Sequence, residues 1–201
     1  MKSVIITGTS KGIGLDSALA FGRAGYKVFA TMRNLENATI LKQKIEAESL
    51  PIVISAMDVD SDESVEDCIG AILRENGPVD VLINNAGIEH HGSIEETHLA
   101  DFRSVMETNY FGALRCVKAV LPQMRQDRKG CVINVTSVAG KIATTPLGPY
   151  SASKYALEAL SEALAQEVKP FNIRVLLLSR VLLIHKWPGI SAMAGTQFIR
   201  R

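Results

Sequence analysis

Short apolar runs alternate along this chain with longer segments in which apolar residues recur every three or four positions. The apolar runs predict strands at residues 3–7, 26–31, 51–57, 79–83, 130–136 and 173–178. The periodic segments predict helices at residues 15–24, 35–48, 99–125 and 150–168, and a further helix that begins at Ser61. Continuously apolar strands are typical of a parallel sheet covered on both faces. The alternation therefore predicts an α/β fold with a doubly wound, mostly parallel sheet in three α/β/α layers.

A glycine-rich turn with the spacing G-x-x-x-G-x-G follows the first predicted strand and leads into the first predicted helix. Such a turn lets backbone N–H groups approach a pyrophosphate, and the helix N-terminus adds partial positive charge. The turn therefore predicts the dinucleotide site of a Rossmann-like sheet, and a turn without a ligand is the alternative. It lacks the Gly-Lys-Ser/Thr ending of nucleotide-triphosphatase loops, which disfavours ATP. The expected cofactor contacts are Gly8, Ser10, Lys11, Gly12, Ile13 and Gly14.

The end of the second predicted strand bears on the choice of cofactor. A fold that prefers NAD places Asp or Glu there to hold the ribose 2′-hydroxyl, but neither occurs between Lys27 and Leu35. Arg33 stands there instead, and Lys11 lies in the glycine loop. Guanidinium and ammonium groups both pair with phosphate, so we expect NADP (NADPH) in preference to NAD. The alternative is that either cation is a solvated surface charge.

Tyr150 and Lys154 are four residues apart at the start of a predicted helix. Residues at this spacing share one face, so the Lys154 ammonium is expected beside the Tyr150 phenol. A neighbouring positive charge favours phenolate and lowers a pKa that is otherwise about 10. The pair therefore predicts a proton donor and acceptor that works near neutral pH. The alternative is an inert pair on a helix surface.

Polar residues follow several of the predicted strands. Asp58 follows the third strand, Asn84-Asn85-Ala86-Gly87 follows the fourth, and Thr136 and Ser137 follow the fifth. Ligands of such sheets bind beyond the carboxyl ends of the strands. A tight turn explains the Asn-Asn-Ala-Gly run by itself, but several such placements around one crevice predict a binding site.

Composition narrows the class of protein. With 201 residues, 47% of them apolar, the chain suits one domain with a full core. A net charge of +1 without a long run of one sign supports neither nucleic acid nor a membrane surface as partner. Cys68, Cys116 and Cys131 fit no disulfide framework or zinc site, and we expect buried thiols in a reducing compartment. No apolar stretch is long enough to span a bilayer, and a strand predicted at residue 3 leaves no room for a signal peptide. We therefore expect a cytoplasmic protein.

Taken together, these residues resemble the short-chain dehydrogenase/reductase family over roughly residues 3–178. The run at residues 28–33 also resembles branches that act on steroids, retinoids and other lipophilic alcohols. The matching positions are Thr7, Gly8, Gly12, Ile13, Gly14, Asp58, Asn84, Asn85, Ala86, Gly87, Asn109, Ser137, Tyr150 and Lys154.

The resemblance implies a role for each of four residues. Tyr150 would give a proton to a carbonyl oxygen during reduction, or take one from an alcohol during oxidation. Ser137 would hydrogen-bond the same oxygen, although a turn cap is the alternative. Lys154 would bind the nicotinamide ribose and shift the tyrosine. Asn109 would anchor a water in a proton relay to Lys154, with a surface polar residue as the alternative.

The resemblance also implies the remaining cofactor contacts. Asp58 and Val59 would border the adenine, while Asn85, Ala86 and Gly87 would line the cofactor on its other side. No metal is implied, because the phenol takes the place of a Lewis acid.

The chain departs from the family pattern after the sixth predicted strand. Family members carry a Pro-Gly turn there and then a threonine for the nicotinamide carboxamide, whereas residues 179–184 have neither. We expect one NAD(P)-binding domain over residues 1–201, with residues 179–201 an atypical, truncated or altered tail. No seventh strand is expected, so one edge of the sheet would be exposed.

These observations predict a short-chain alcohol dehydrogenase or carbonyl reductase that acts on CH–OH donors. It would interconvert a secondary alcohol and a ketone or aldehyde, with a lipophilic small molecule as substrate. The alternative is a catalytically impaired nucleotide-binding sensor or interaction protein of the same fold, which the tail favours. The resemblance implies a homodimer or homotetramer that packs through the helices at residues 99–125 and 150–168.

Overall fold

Six parallel strands form the centre of the molecule in the computed structural model, which describes residues 1–180 and 198–199. The parallel strands are β1 (Ser3–Thr7), β2 (Lys27–Met32), β3 (Ile52–Ala56), β4 (Val81–Asn84), β5 (Gly130–Ser137) and β6 (Ile173–Arg180). Their order in the sheet is β3-β2-β1-β4-β5-β6, with a short antiparallel strand beyond β6. The strands that follow β1 are added on one side of it as far as β3 and then on its other side from β4, which creates a crevice between β1 and β4.

Helices cover both faces of this sheet. Alternate residues of a strand point to opposite faces, so Ile5 enters one core while Val4 and Ile6 enter the other. The helices are α1 (Gly12–Arg23), α2 (Thr39–Glu48), α3 (Asp62–Asn76), α4 (Leu99–Met106), α5 (Ala113–Gln126) and α6 (Gly148–Val168). The first core also receives side chains from α3, α5 and α6, and the second receives them from α1 and α2. This arrangement confirms the predicted three layers.

The helix predicted across residues 99–125 is not continuous. A π-helical segment at Glu107–Gly112 separates α4 from α5. Such a widened turn keeps the helical direction and most of the apolar spacing, so the periodicity gave no sign of it. Segments of this kind are frequent at functional sites.

The start of α3 was predicted correctly at Ser61. Its Oγ accepts a hydrogen bond of 3.2 Å from the Ser64 backbone N–H. Asp62 and Glu63 follow in the first turn, where negative charge complements the helix dipole. The Ser64 Oγ in turn accepts from the Asp58 N–H at 2.9 Å, which fixes the loop between β3 and α3.

Most of the predicted atypical tail, residues 179–201, lies outside the described residues. The sequence predicted no seventh strand, but Phe198 and Ile199 form β7 (Phe198–Ile199), antiparallel to β6 at Leu178 and Leu177. Two residues are too few to show an alternating pattern, which is why the prediction missed them.

All three cysteines are free thiols. Cys116 and Cys131 are buried as expected, but Cys68 is only half-buried. Burial raises the pKa of Cys116 to about 12 and also raises the pKa of Cys68 and of Cys131. Over the described part of the chain, no helix has the length and apolarity needed to cross a membrane.

Candidate active site

A cleft of about 990 Å³ opens where the carboxyl ends of β1, β2, β4 and β5 meet. Its volume is at the upper end of the range for small-molecule sites. Three of the predicted site residues, Gly14, Asn109 and Ser137, lie outside its lining. The predicted residues that line it are Gly8, Ser10, Lys11, Gly12, Ile13, Arg33, Asp58, Val59, Asn85, Ala86, Gly87, Tyr150 and Lys154.

The glycine loop closes one side of the cleft in a conformation that other residues adopt only with strain. Gly8 and Gly12 have positive φ angles of 69° and 58°. Gly14 is required for space, because a Cβ there would lie 2.3 Å from the Gly8 carbonyl oxygen and 2.4 Å from Asn85 Nδ2. Asn85 Nδ2 donates to the carbonyl oxygens of Thr7 and Gly8 at 2.9 and 3.0 Å. The loop and the turn after β4 therefore form one interlocked unit.

The Asn-Asn-Ala-Gly turn has more partners than an isolated turn would need. The Thr7 hydroxyl accepts from the backbone N–H groups of Asn85 and Ala86 at 3.0 and 2.9 Å. Asn84 Nδ2 donates to the buried Asn134 Oδ1 at 2.8 Å. These bonds join the ends of β1, β4 and β5, so the turn holds the floor of the crevice together.

Tyr150 and Lys154 lie one above the other on α6, as the spacing predicted. Their side chains are buried within the described structure, with residue exposures of 6% and 5%. The Lys154 ammonium lies 5.6 Å from the centroid of the Tyr150 ring. It also donates to the Val135 carbonyl oxygen at 2.9 Å. A cation is thus held beside the Tyr150 ring in the wall of the cleft.

Ser137 ends β5 and is 1% exposed. Its Oγ accepts from the Ala139 backbone N–H at 3.2 Å, which caps the short helical turn at Val138–Gly140. Ser137 therefore caps a turn, as the alternative interpretation of this residue predicted. A contact with substrate stays a prediction.

Asn109 lies within the π-helical segment and is 1% exposed, so its interpretation as a surface residue is wrong. Its Oδ1 accepts from the Ile88 backbone N–H at 2.8 Å, and its Nδ2 donates to the Ile88 carbonyl oxygen at 2.9 Å. Nδ2 also donates to Ser153 Oγ at 2.9 Å, and that hydroxyl donates to the Tyr150 carbonyl oxygen at 2.7 Å. The side chain thereby joins the loop after β4 to the helix that carries Tyr150. The bound water of the predicted relay stays a prediction.

The opposite end of the cleft carries both signs of charge. Lys11 and Arg33 are exposed there, and Asp58 and Asp60 are half-buried. Burial raises the pKa of Asp60, and Asp58 adds to this, whereas the Thr108 hydroxyl and the Arg33 cation act against it. Asp60 lies in the same acidic run as Asp58, and this position in the sequence could have identified it as a site residue.

Several lining residues were not singled out from the sequence. Only the acidic run around Asp58 pointed to any of them. The others are spread over α1, β2, α4, β5, the loops after β3 and β4 and the π-helical segment. Apolar periodicity does not show which of these side chains face a cleft. These missed residues are Asp16, Met32, Met57, Asp60, Ile88, Glu89, Ser104, Thr108 and Val135.

The model of the short chain dehydrogenase family matches residues 2–179. The chain therefore belongs to the short-chain dehydrogenase/reductase family. Its sheet, its glycine loop and the Tyr150/Lys154 pair agree with this membership.

Three curated relatives illustrate the range of the family. The chain is 40% identical over 192 residues to retinol dehydrogenase 8 of Bos taurus, covering 94% of this chain and 61% of that protein. It is 39% identical over 176 residues to 3-ketodihydrosphingosine reductase of Bacteroides thetaiotaomicron, covering 87% and 61%. It is 35% identical over 168 residues to an NADPH-dependent pterin aldehyde reductase of Arabidopsis thaliana, covering 83% and 69%. The chain thus spans less than two thirds of the first two relatives.

Solved structures give the same picture of the fold. A short-chain dehydrogenase from Streptomyces avermitilis aligns with a TM-score of 0.84 at 38% identity, covering 89% of this chain and 64% of the other. A metagenomic short-chain oxidoreductase in complex with NADP aligns with a TM-score of 0.85 at 28% identity, covering 89% and 81%. An alcohol dehydrogenase from Thermococcus sibiricus complexed with 5-hydroxy-NADP aligns with a TM-score of 0.84 at 28% identity, covering 90% and 76%.

Proposed function

We propose that this protein is an NADP-dependent oxidoreductase that interconverts a secondary alcohol and a ketone or aldehyde. The observation that carries the proposal is the Lys154 ammonium, held 5.6 Å from the centroid of the Tyr150 ring in the wall of the cleft. A cation in that position favours the phenolate form of the tyrosine, as a proton donor and acceptor near neutral pH requires.

The residues of the cleft fit a nicotinamide dinucleotide. Gly8 and Gly12 line the cleft, and nothing lies within 4 Å of the place where a Cβ on Gly12 would stand, so its open backbone suits a pyrophosphate. The bound nicotinamide would supply or accept the hydride. Lys11 and Arg33 are exposed cations at the other end of the cleft, which favours the 2′-phosphate of NADP over the bare ribose of NAD. Relatives solved with NADP support the same choice.

The chain's own residues would manage the proton. Tyr150 would protonate the carbonyl oxygen, and Ser137, at the end of the adjacent strand, would donate a hydrogen bond to it. Lys154 would hold the nicotinamide ribose while its charge acts on the phenol. Asn109 would support the relay that returns a proton to Lys154, because its amide joins Ile88 to the tyrosine-bearing helix through Ser153.

The surface near the cleft favours a lipophilic substrate. Ile94 and Ile142 are 75% and 62% exposed on the loops after β4 and β5, and Val138 is 38% exposed. Ile94 lies against the start of α6, since a Cβ on Gly148 would meet its Cγ1 at 3.2 Å. Ile88 lines the cleft itself and is 39% exposed, and exposed apolar side chains are typical of a binding surface. The names of two relatives, a retinol dehydrogenase and a 3-ketodihydrosphingosine reductase, indicate substrates of this kind for those proteins.

The experiment is NADPH oxidation across a panel of carbonyl compounds, from short ketones to long-chain aldehydes, with Tyr150→Phe as the matched variant. We expect turnover with the apolar carbonyls, and a loss of at least about 100-fold in the variant because proton transfer fails. The rival is a nucleotide-binding sensor without turnover, which the altered run at residues 179–184 favours. Tight NADPH binding with no oxidation on any carbonyl would establish the rival.

We further propose one domain over residues 1–201, with 179–201 an atypical tail, in a cytoplasmic homodimer or homotetramer. Phe111 and Tyr155 are 42% and 43% exposed beside α5 and on α6, which gives those helices apolar surface for a second copy. Light scattering after gel filtration measures the number of copies directly.

A further inference from the structure

We propose that Asp60 is a positioning residue whose hydrogen bond with Thr108 couples the adenine end of the cleft to the segment that holds Asn109. This inference rests on the proposed function, because the cleft is taken to bind the cofactor. The proposed role of Asp60 is separate from the roles of the glycine loop and of Ser137, Tyr150 and Lys154.

The central contact joins a loop to a helical segment that is far from it in sequence. The Thr108 hydroxyl donates to Asp60 Oδ2 at 3.0 Å. Asp60 belongs to the loop between β3 and α3, whereas Thr108 is the second residue of the π-helical segment and immediately precedes Asn109. A shift of Asp60 is therefore transmitted to the turn that orients the Asn109 amide.

Other contacts hold the loop after β3 and the π-helical segment together. Arg115 donates to the Val59 carbonyl oxygen at 3.2 Å, and its guanidinium also pairs with Asp62 and with Glu107. Gly112 packs so closely that a Cβ there would lie 2.9 Å from Val59 Cγ2. The π-helical segment is thus held at its first and last residues. The Asp60–Thr108 bond lies between these points, next to the functional amide.

Hydrogen bonds also connect Asn109 to α6, the helix that carries Tyr150. Asn109 Nδ2 donates to Ser153 Oγ at 2.9 Å, and Ser153 Oγ donates to the Tyr150 carbonyl oxygen at 2.7 Å. Each step from Asp60 to the tyrosine backbone is therefore a hydrogen bond or a peptide bond. A contiguous path of this kind is a physical route for coupling, and its strength is measured by perturbing the bond.

Asp60 is also placed to sense an occupied cleft. Asp60 and Thr108 both line it, on the wall that carries Asp58 and Val59. Asp60 Oδ1 is buried and has no hydrogen-bond partner within the described part of the chain. A buried oxygen without a partner costs free energy, so a ligand group that donates to Oδ1 would stabilise Asp60 in a new position. This change of position acts on Thr108 through Oδ2.

The test compares Thr108→Val with Thr108→Ser in the full-length chain. Valine has the shape of threonine without the hydroxyl, whereas serine keeps the donor. We expect kcat about fivefold lower in the valine variant than in the serine variant, as one hydrogen bond predicts, with equal Kd for NADPH. In an Asp60→Ala background the two variants should have the same kcat. A full fivefold difference that persists there overturns the proposal.

Amide hydrogen exchange gives a second readout that does not need turnover. Saturating NADP⁺ should slow exchange of residues 107–113 in wild type and in Thr108→Ser, but not in Thr108→Val. Equal protection in the two variants contradicts the coupling, as does a change in NADPH Kd with kcat unchanged. If the valine variant does not fold, Asp60→Asn against Asp60→Ala makes the same comparison, since asparagine keeps an acceptor for Thr108. If wild type binds NADPH but reduces no carbonyl, the proposed function fails and the exchange experiment alone decides the coupling.

Discussion

The Lys154 ammonium lies 5.6 Å from the centroid of the Tyr150 ring while it donates a 2.9 Å hydrogen bond to the Val135 carbonyl oxygen. The second contact matters as much as the first. A lysine side chain is long and mobile, and its bond to β5 limits the positions that the ammonium can take. The sheet therefore fixes a positive charge beside the phenol before any ligand arrives.

Replacing Lys154 by methionine should lower kcat by about 100-fold or more, because the phenol loses its neighbouring cation. The basic limb of alcohol oxidation should also move to higher pH, since a tyrosine without that cation ionises later. Steady-state pH profiles measure both effects. Lys118→Met removes an exposed lysine from α5 and serves as the matched control. An unchanged pH profile in Lys154→Met would show that the lysine does not tune the tyrosine.

Replacing Arg33 by alanine should weaken NADPH binding by about tenfold and leave NADH binding nearly unchanged. The guanidinium is exposed at the cleft, and its expected partner is the 2′-phosphate that NADH lacks. Fluorescence titration with the two cofactors measures the difference. Equal losses for both cofactors would mean that Arg33 acts on something other than the 2′-phosphate.

Replacing Gly14 by alanine should abolish dinucleotide binding and lower the melting temperature, because the added Cβ meets backbone at 2.3 Å. Gly70→Ala is the control. Its Cβ meets only the end of the Arg74 side chain at 3.1 Å, within α3, and alanine there should stabilise by about 0.5–1 kcal/mol. Thermal melts with and without NADPH separate the two cases. Normal cofactor binding by Gly14→Ala would refute the tight fit of the loop.

Asp80 supplies a pH-dependent part of the stability. Burial acts to raise the pKa of Asp80, but hydrogen bonds from Lys129 and from the Ser3 backbone N–H outweigh it and lower the pKa. A lowered pKa means that the folded state favours the carboxylate. Its stabilisation is thus present above the unfolded pKa and is lost as pH falls through the folded pKa.

Asp80→Asn should therefore lower the free energy of unfolding at pH 7 by about 0.5–1 kcal/mol, a small value because Lys129 is well exposed. Denaturant titrations from pH 7 to pH 3 should show that the difference in free energy of unfolding between Asp80→Asn and wild type becomes smaller as the pH falls. If this difference does not change with pH, the effect comes from the altered shape of the side chain and not from the loss of its charge.

The sequence predicted the central strands well because they are buried on both faces, as Val4, Ile5 and Ile6 of β1 illustrate. It could not predict the π-helical segment, since one widened turn barely alters the apolar spacing. For the same reason it could not decide whether Asn109 is buried. β7 gave no signal, because two residues define no period.

Among the site residues, the sequence predicted the pair that lies on one helix and missed a pair that lies on two separate elements. Tyr150 and Lys154 were found because helical geometry alone determines that residues four apart share a face. Asp60 and Thr108 were not found, since they are 48 positions apart in sequence and their contact depends on how the π-helical segment and α5 pack against the loop after β3. Local spacing predicts contacts within an element, whereas contacts between elements follow from the packing of the fold.

The central claim is that this chain passes a hydride between NADPH and a carbonyl carbon with Tyr150 as the proton donor. Its most direct test is NADPH deuterated at the transferred position, incubated with an apolar aldehyde or ketone and followed by mass spectrometry of the alcohol. The account predicts one deuterium on the carbinol carbon with wild type and almost none with Tyr150→Phe, although both bind NADPH. An alcohol without deuterium, or equal labelling by the two proteins, would contradict it.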